Sequence, residues 1–163
     1  MVKKFAIQIS ILLLVAFGAL YISFNMGFLG SIVPSVNQGP QSEIKVGETL
    51  IKTEIADTAG KRAQGLSGRE NMPAESGMLF VFLEARKHQF WTKGMKFPLD
   101  MIFIKDGKVV DLIKNIPPPV VNQKDEDLKI YEPLTPIDMM LEVNAGFSEA
   151  NDIQINQQVF LVK

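Results

Sequence analysis

The sequence predicts a mainly β domain, a small β sandwich or half-open barrel with one or two short helices, preceded by an N-terminal transmembrane helix. Three observations favour this class. A long uncharged apolar run stands near the start of the chain. Several short apolar or alternating runs follow it, separated by Gly, Pro, Asp and Asn turn signals. No βαβ repeat is present, so a doubly wound parallel sheet is not expected.

Residues 1–28 are predicted to form a membrane anchor or signal. Lys3 and Lys4 precede the apolar run 5–28, and the next charged residue is Glu43. About 20 apolar residues span a bilayer core. Lysines before the run and none directly after it predict a single-pass protein with a cytoplasmic N-terminus and an extracytoplasmic C-terminal domain. A cleaved signal peptide, which would give a secreted form, is the alternative.

The remaining chain divides into a linker, residues 29–42, and one domain of modest size, residues 43–163. The linker is uncharged and rich in Gly, Pro, Ser and amides. The formal net charge of the whole chain is −1, and removing the two positive charges of Lys3 and Lys4 leaves −3. This balance argues against a nucleic-acid surface. Zero cysteines and a single histidine exclude disulfides, thiolate metal sites and histidine-based zinc sites, and no cofactor is predicted.

The first half of the domain is predicted to contain two strands and a helix. Thr49–Ile55 alternates and is rich in β-branched residues, which favours a strand. Thr58 can cap a short helix that ends at Gln64, with Gly65 as its stop. Met78–Phe82 is a short apolar run, typical of a buried strand.

The centre of the domain predicts a β hairpin. A strand begins after Pro98, and Leu99–Ile104 is apolar on both faces, so both faces should be covered. Asp106-Gly107 suits a two-residue turn that returns the chain as the antiparallel strand Val109–Ile113. Three consecutive prolines at 117–119 end the ladder.

The last part of the domain predicts two further strands. Gln123–Lys129 is charged and is predicted to be an exposed loop. Met139–Val143 is an apolar strand, Gly146–Asn151 is predicted to form one helical turn, and Val159–Val162 is predicted to be the closing strand.

Five side chains are candidates for a ligand-binding site near the predicted hairpin. The carboxylate of Asp100 enters an apolar face and therefore needs a partner, for which Lys93 or Arg69 is expected. Trp91 and Lys93 share a face if 89–93 is a strand, and they offer either a ligand surface or a ring covered by the lysine stem. The candidates, predicted to converge at one end of the sheet, are Arg62, Arg69, Trp91, Lys93 and Asp100. The competing interpretation of Arg62 is a cation in the last turn of a helix.

Known catalytic motifs are missing from the sequence. There is no Gly-x-Ser-x-Gly elbow, and Gly65–Gly68 is not followed by Gly-Lys-Ser/Thr, as a phosphate loop requires. A non-catalytic binding or interaction module, for a small anionic ligand or a protein partner, is therefore preferred. The alternative is a hydrolase-like or other acid/base enzyme that uses Asp100 with Lys93 and Arg69. The sequence indicates no oligomeric state.

Five segments in order resemble the family known as domain of unknown function 192 (DUF192), over residues 47–163. They are Arg62-x-x-Gly65-Leu66-x-x-Arg69, Gly77-Met78-Leu79-Phe80-x-Phe82, Phe90-Trp91-x-Lys93, Pro98-Leu99-Asp100-x-x-Phe103-Ile104 and Leu141-Glu142-Val143-Asn144-Ala145-Gly146. The resemblance implies a compact, mainly β fold, usually exported or membrane-tethered, with no established activity. The family usually has Met where this chain has Ser67, and Trp-Met-Lys-Asn-Thr where this chain has residues 91–95, Trp-Thr-Lys-Gly-Met.

The predicted topology can be tested by protease accessibility. Protease added to spheroplasts should digest the C-terminal domain and spare a short N-terminal piece, because only the domain is expected outside the membrane. Immunoblots for tags at either end, with lysed spheroplasts as the control, follow both parts. Full protection of the domain in intact spheroplasts would contradict the topology.

Overall fold

The computed structural model describes residues 41–162, and all seven strands in that range belong to one curled sheet. The elements in chain order are β1 (Gln41–Val46), β2 (Thr49–Ala56), α1 (Ala59–Gln64), β3 (Ser76–Arg86), β4 (Leu99–Lys105), β5 (Lys108–Ile116), a 3₁₀ turn (Asp125–Asp127), β6 (Ile137–Asn144), α2 (Phe147–Ala150) and β7 (Val159–Val162). The strand order across the sheet is β5-β4-β6-β3-β2-β1-β7. The pairing of β2 with β3 is parallel, and the other neighbours are antiparallel.

The two outer strands of the sheet approach each other at one end. The backbone N–H of Val159 donates to the Gly107 carbonyl at 2.8 Å, and the N–H of Val109 donates to the Gln157 carbonyl at 3.0 Å. These bonds bring the start of β7 to the start of β5, so the sheet curls into a half-open barrel. Of the two predicted architectures, the half-open barrel is therefore the one observed, and the sandwich is not.

The curled sheet has an apolar cluster on each face. The inner cluster joins residues from distant strands, such as Ile44, Ile102 and Val109, which meet only because the sheet curls. The outer cluster contains Phe80, Phe103 and other residues of the central strands, and the segments that connect the strands cover it. Removing these side chains from water is the main favourable term for the fold.

The predicted anchor and most of the predicted linker lie outside the described residues. Within 41–162, neither helix is long and apolar enough to cross a membrane. The first two residues of β1, Gln41 and Ser42, fall in the segment predicted as linker, and β1 was not predicted as a strand.

The local predictions hold for α1 and for most of the strands. The side chain of Thr58 caps α1 by accepting the Lys61 N–H at 3.3 Å, and Gly65 ends the helix. The strand considered for residues 89–93 is not formed. Only Phe90 is paired there, in an isolated antiparallel bridge with Tyr131 whose two N–H···O bonds are both 2.9 Å. That bridge nevertheless fixes the segment against the rest of the domain.

The predicted hairpin between β4 and β5 is confirmed. Asp106 and Gly107 form its turn with φ values of 48° and 71°, both left-handed, as a type I′ turn requires. Aspartate tolerates this region because its side chain is short and polar, and glycine has no Cβ to clash.

Replacing Gly107 by alanine should lower the free energy of unfolding by about 1 kcal/mol, since alanine is strained at positive φ. Gly60→Ala is the matched control, because Gly60 lies in α1 with open space around it. The control should be neutral or slightly stabilising. Urea unfolding of both variants measures the difference, and equal midpoints would contradict the assigned turn.

Candidate functional site

A cavity of about 280 Å³ lies on the outer face of the sheet, beside α1. Its walls come from α1 and the residues after it, from β3, from segment 88–95, and from one residue of β6. Strands therefore provide the floor, and less regular backbone provides the rim. The volume is slightly below the usual range for small-molecule sites, which is about 300–1,000 Å³.

Aromatic rings form much of the cavity wall. Phe80, Phe82, Phe90 and Trp91 all line it. The ring of His88 stacks on Phe82 with centroids 3.7 Å apart, and Phe90 meets Phe82 edge-on at 6.0 Å. Trp91 remains 56% exposed, so about half of its surface is open to solvent. Burial lowers the pKa of His88, and its imidazole is therefore neutral at neutral pH.

Two cations stand at the rim of the cavity. Arg62 donates through Nη1 to the carbonyls of Asp57 and Val81, at 2.8 and 2.9 Å, and its guanidinium lies 5.6 Å from the centre of the Phe82 ring. These bonds fix the guanidinium and leave its other nitrogens available. Lys93 forms an exposed ion pair with Asp125. The rim thus carries positive charge whose position is set by the fold.

Glu142 lies in the cavity wall and is 6% exposed. It sits on β6, between β3 and β4, directly opposite Met78 of β3 and Met101 of β4. No hydrogen bond or ion pair joins its side chain to another residue within 41–162. Burial raises the pKa of Glu142 to about 8, because a charged carboxylate would be poorly solvated there. At neutral pH this carboxyl is therefore protonated.

Arg69 lies in a neighbouring cavity of about 370 Å³ and not in the first one. Its guanidinium forms a two-bond pair with the carboxylate of Glu54, at 2.5 and 2.8 Å. Hydrogen bonding to Arg69 lowers the pKa of Glu54. The expected pairing of Arg69 with Asp100 is therefore wrong, since Glu54 occupies the guanidinium fork.

Asp100 is fully buried near the start of β4, and its partners are backbone amides, not a cation. Its Oδ1 accepts the N–H groups of Asn115 and Gly146, at 2.8 and 3.3 Å, and its Oδ2 accepts the N–H of Ser148 at 3.0 Å. No salt bridge involves Asp100 within the described range. The expectation of a cation beside Asp100 is wrong, because three peptide dipoles stabilise the carboxylate instead.

The five predicted residues therefore do not form one site. Arg62, Trp91 and Lys93 line the same cavity, Arg69 lines the next one, and Asp100 lines neither. Glu142 was not predicted as a site residue. Its signal was present in the sequence, because it is the only charged residue between Asp138 and Glu149 and interrupts an apolar strand.

Two of the departures from the family pattern, Ser67 and Gly94, lie against each other. Gly94 has φ 70°, and a Cβ at this position would collide with Oγ of Ser67. The N–H of Gly68 donates to the Gly94 carbonyl at 2.8 Å. This close contact joins the loop after α1 to the turn after Lys93 and so closes one side of the cavity.

Comparison with known proteins agrees with this architecture. The sequence model of the DUF192 family, described as an uncharacterised ACR, matches residues 42–161. A Sinorhizobium meliloti protein, described as a candidate transcription regulator, is 26% identical with a TM-score of 0.67, over 75% of this chain and 94% of its own. A Novosphingobium aromaticivorans protein of unknown function is also 26% identical with a TM-score of 0.66, over 74% of this chain and 84% of its own. No curated protein matches the sequence.

Replacing Asp100 by asparagine should lower the free energy of unfolding by about 1–3 kcal/mol. An amide NH₂ cannot accept the N–H groups that now point at a carboxylate oxygen, so at least one buried donor loses its partner. Asp127→Asn, in the exposed 3₁₀ turn, is the matched control and should be close to neutral. Urea unfolding measures both variants, and a neutral Asp100→Asn would show that the amides do not depend on the charge.

Proposed function

This chain belongs to the DUF192 family, and we propose that its domain is a non-catalytic module that binds a small anionic ligand in the outer-face cavity. We propose further that residues 5–28 tether this module to the membrane, with the domain on the extracytoplasmic side. The observation that carries the binding proposal is the cavity of about 280 Å³, which combines aromatic walls with a cationic rim.

The walls favour a ligand with a flat apolar part. Phe82, Phe90 and Trp91 offer ring faces and edges, and aromatic contacts of this kind contribute about 0.5–1.5 kcal/mol beyond the area they bury. The half-exposed ring of Trp91 would be covered when such a ligand binds.

The charge of the lining favours an anion. At neutral pH Glu142 is protonated and His88 is neutral, for the reasons of burial given above. The charged side chains of the lining are then Arg62 and Lys93, and both are positive. Asp125 forms an ion pair with Lys93, and the Arg62 guanidinium helps to lower the pKa of Asp57, so these two acids outside the lining offset part of both charges.

The enzyme alternative built on Asp100, Lys93 and Arg69 has less support. Asp100 is surrounded by backbone donors, Arg69 is paired with Glu54, and Lys93 lies on the other cavity. Three groups in three separate environments cannot act on one bound substrate, since acid–base catalysis needs hydrogen-bond reach of the reacting atoms.

Fluorescence of Trp91, the only tryptophan in the chain, gives a direct assay with the full-length protein. Benzoate should cause a saturable change, and benzyl alcohol of similar size should bind more weakly because it lacks the charge. Benzoate binding should weaken as salt is added, since salt screens exposed charges.

Lys93→Ala should weaken benzoate binding severalfold and leave stability near that of the wild type, because its ion pair is exposed. Lys45→Ala is the matched control, since Lys45 forms an exposed ion pair with Glu48 away from the cavity. Equal binding of benzoate and benzyl alcohol, or no saturable change with either, would contradict the proposal.

A further inference from the structure

Glu142 is a buried carboxyl without a partner on the wall of an open cavity. It is 94% buried, within reach of the cavity interior, and bonded to no other residue between 41 and 162. Buried polar groups in folded proteins almost always have hydrogen-bond partners, and a missing partner costs about 1–3 kcal/mol. The two residues beside Glu142 in the sheet, Met78 and Met101, cannot supply one. The fully enclosed side-chain atoms without a partner in the described range are Asp138 Oδ1 and Ser148 Oγ, so the oxygens of Glu142 are open to the cavity, where water or a ligand can bond them.

We propose that Glu142 is the specificity-determining group of this cavity, and that the ligand is a planar heterocycle whose edge presents an N–H donor next to a carbonyl acceptor. This inference rests on the proposed function and adds the ligand's chemical class to it. The anionic substituent of the heterocycle would face Arg62 and Lys93, and its ring would lie between the aromatic walls.

The hydrogen-bonding capacity of a protonated carboxyl leads to this class. It has one O–H donor and one carbonyl acceptor side by side. An amide-like edge has the same two groups in the reverse order, so the pair can form two parallel hydrogen bonds. A plain aromatic anion such as benzoate offers no N–H and would leave Glu142 only partly satisfied.

A cationic ligand is disfavoured by the rest of the cavity lining. An ammonium group would need Glu142 to be ionised, and burial opposes this below about pH 8. It would also have to enter past Arg62 and Lys93, which carry charge of the same sign. A neutral Glu142 and a cationic rim therefore agree in favouring a ligand that is neutral at its inner edge and anionic at its outer end.

Three probes separate these features in the full-length protein, with Trp91 fluorescence as the readout. Uracil-6-carboxylate has both the amide-like edge and the negative charge. Its 1,3-dimethyl derivative keeps the ring and the charge but has no N–H donor. Benzoate has a flat ring and a charge, but no amide-like edge. We expect uracil-6-carboxylate to bind at least about tenfold more tightly than the other two probes, because only it can form both hydrogen bonds with Glu142.

Substitution of Glu142 tests the assignment at the residue itself. Glu142→Leu should weaken the binding of uracil-6-carboxylate about tenfold or more and leave the binding of the other two probes unchanged. The three probes should then bind with similar affinity. Glu142→Gln should retain preferential binding, because a primary amide also has a donor next to an acceptor. Thermal unfolding of both variants verifies that they are folded, and the probe series on the wild-type protein tests the proposal independently of any variant.

The pH dependence gives a second signature. Preference for uracil-6-carboxylate should decline above about pH 8 in the wild type, as Glu142 loses its proton, and should not decline in Glu142→Gln. Because the probe ionises in the same way with both proteins, the comparison between them controls for any ionisation of the probe itself. The other charged or titratable groups near Glu142 are Arg62, Lys93, His88 and Glu54. Burial lowers the pKa of His88, and hydrogen bonding to Arg69 lowers the pKa of Glu54, so neither of these two groups changes charge above about pH 8.

The outcomes separate the two proposals. If benzoate binds and uracil-6-carboxylate binds no better, or if the dimethyl derivative binds equally well, the heterocycle assignment fails and the anion-binding function stands. If benzylammonium binds more tightly as pH rises and Glu142→Gln abolishes that binding, the site is a cation site and both proposals fail. If none of the probes gives a saturable change, both proposals fail as well.

Discussion

The buried carboxylate of Asp100 joins three parts of the chain, and the composition of the cavity floor depends on that junction. Its oxygens accept the backbone N–H of Asn115, at the end of β5, and those of Gly146 and Ser148, in the segment that follows β6. These bonds fix β4 between its two neighbours, with Met101 opposite Glu142. Because side chains alternate along a strand, a slip of one residue in β6 would turn Glu142 into the inner apolar cluster. Asp100, which is outside the cavity lining but pairs with Val143 beside Glu142, therefore helps to keep the register in which Glu142 faces the cavity.

The cavity combines a rigid floor with a rim made of irregular backbone. The floor belongs to the central strands, whose register is fixed on both sides. Two short contacts hold the rim in place, namely the bridge of Phe90 with Tyr131 and the packing of Gly94 against Ser67. In the second contact two small residues meet, where the family usually has asparagine and methionine. Both positions lie outside the strands, so changes there alter the rim and leave the sheet intact.

Residue patterns in the sequence predicted much of the sheet but only part of the site. The hairpin at Asp106-Gly107 was predictable because a two-residue turn has a local signature. The partners of Asp100 were not, because backbone amides are present at every residue and leave no mark in the sequence. The argument from burial predicted that Asp100 needs a partner, and only the fold revealed that Asn115 and Ser148 provide it. The first strand, β1, was missed because its opening residues share the polar composition of the preceding segment.

Asp100 and Glu142 illustrate why burial of a carboxyl does not by itself indicate function. Both lie in central strands among apolar residues, and both are almost completely removed from solvent. Asp100 finds three donors within its own domain, so its charge is satisfied and its role is to hold the fold together. Glu142 finds none in the described part of the chain, and it avoids the cost of a buried charge by keeping its proton. A protonated carboxyl that faces an open cavity can donate its hydrogen bond to water or to a molecule bound there. The carboxyl that faces the cavity therefore supports the proposed binding site, whereas the carboxylate bonded by three amides stabilises the fold.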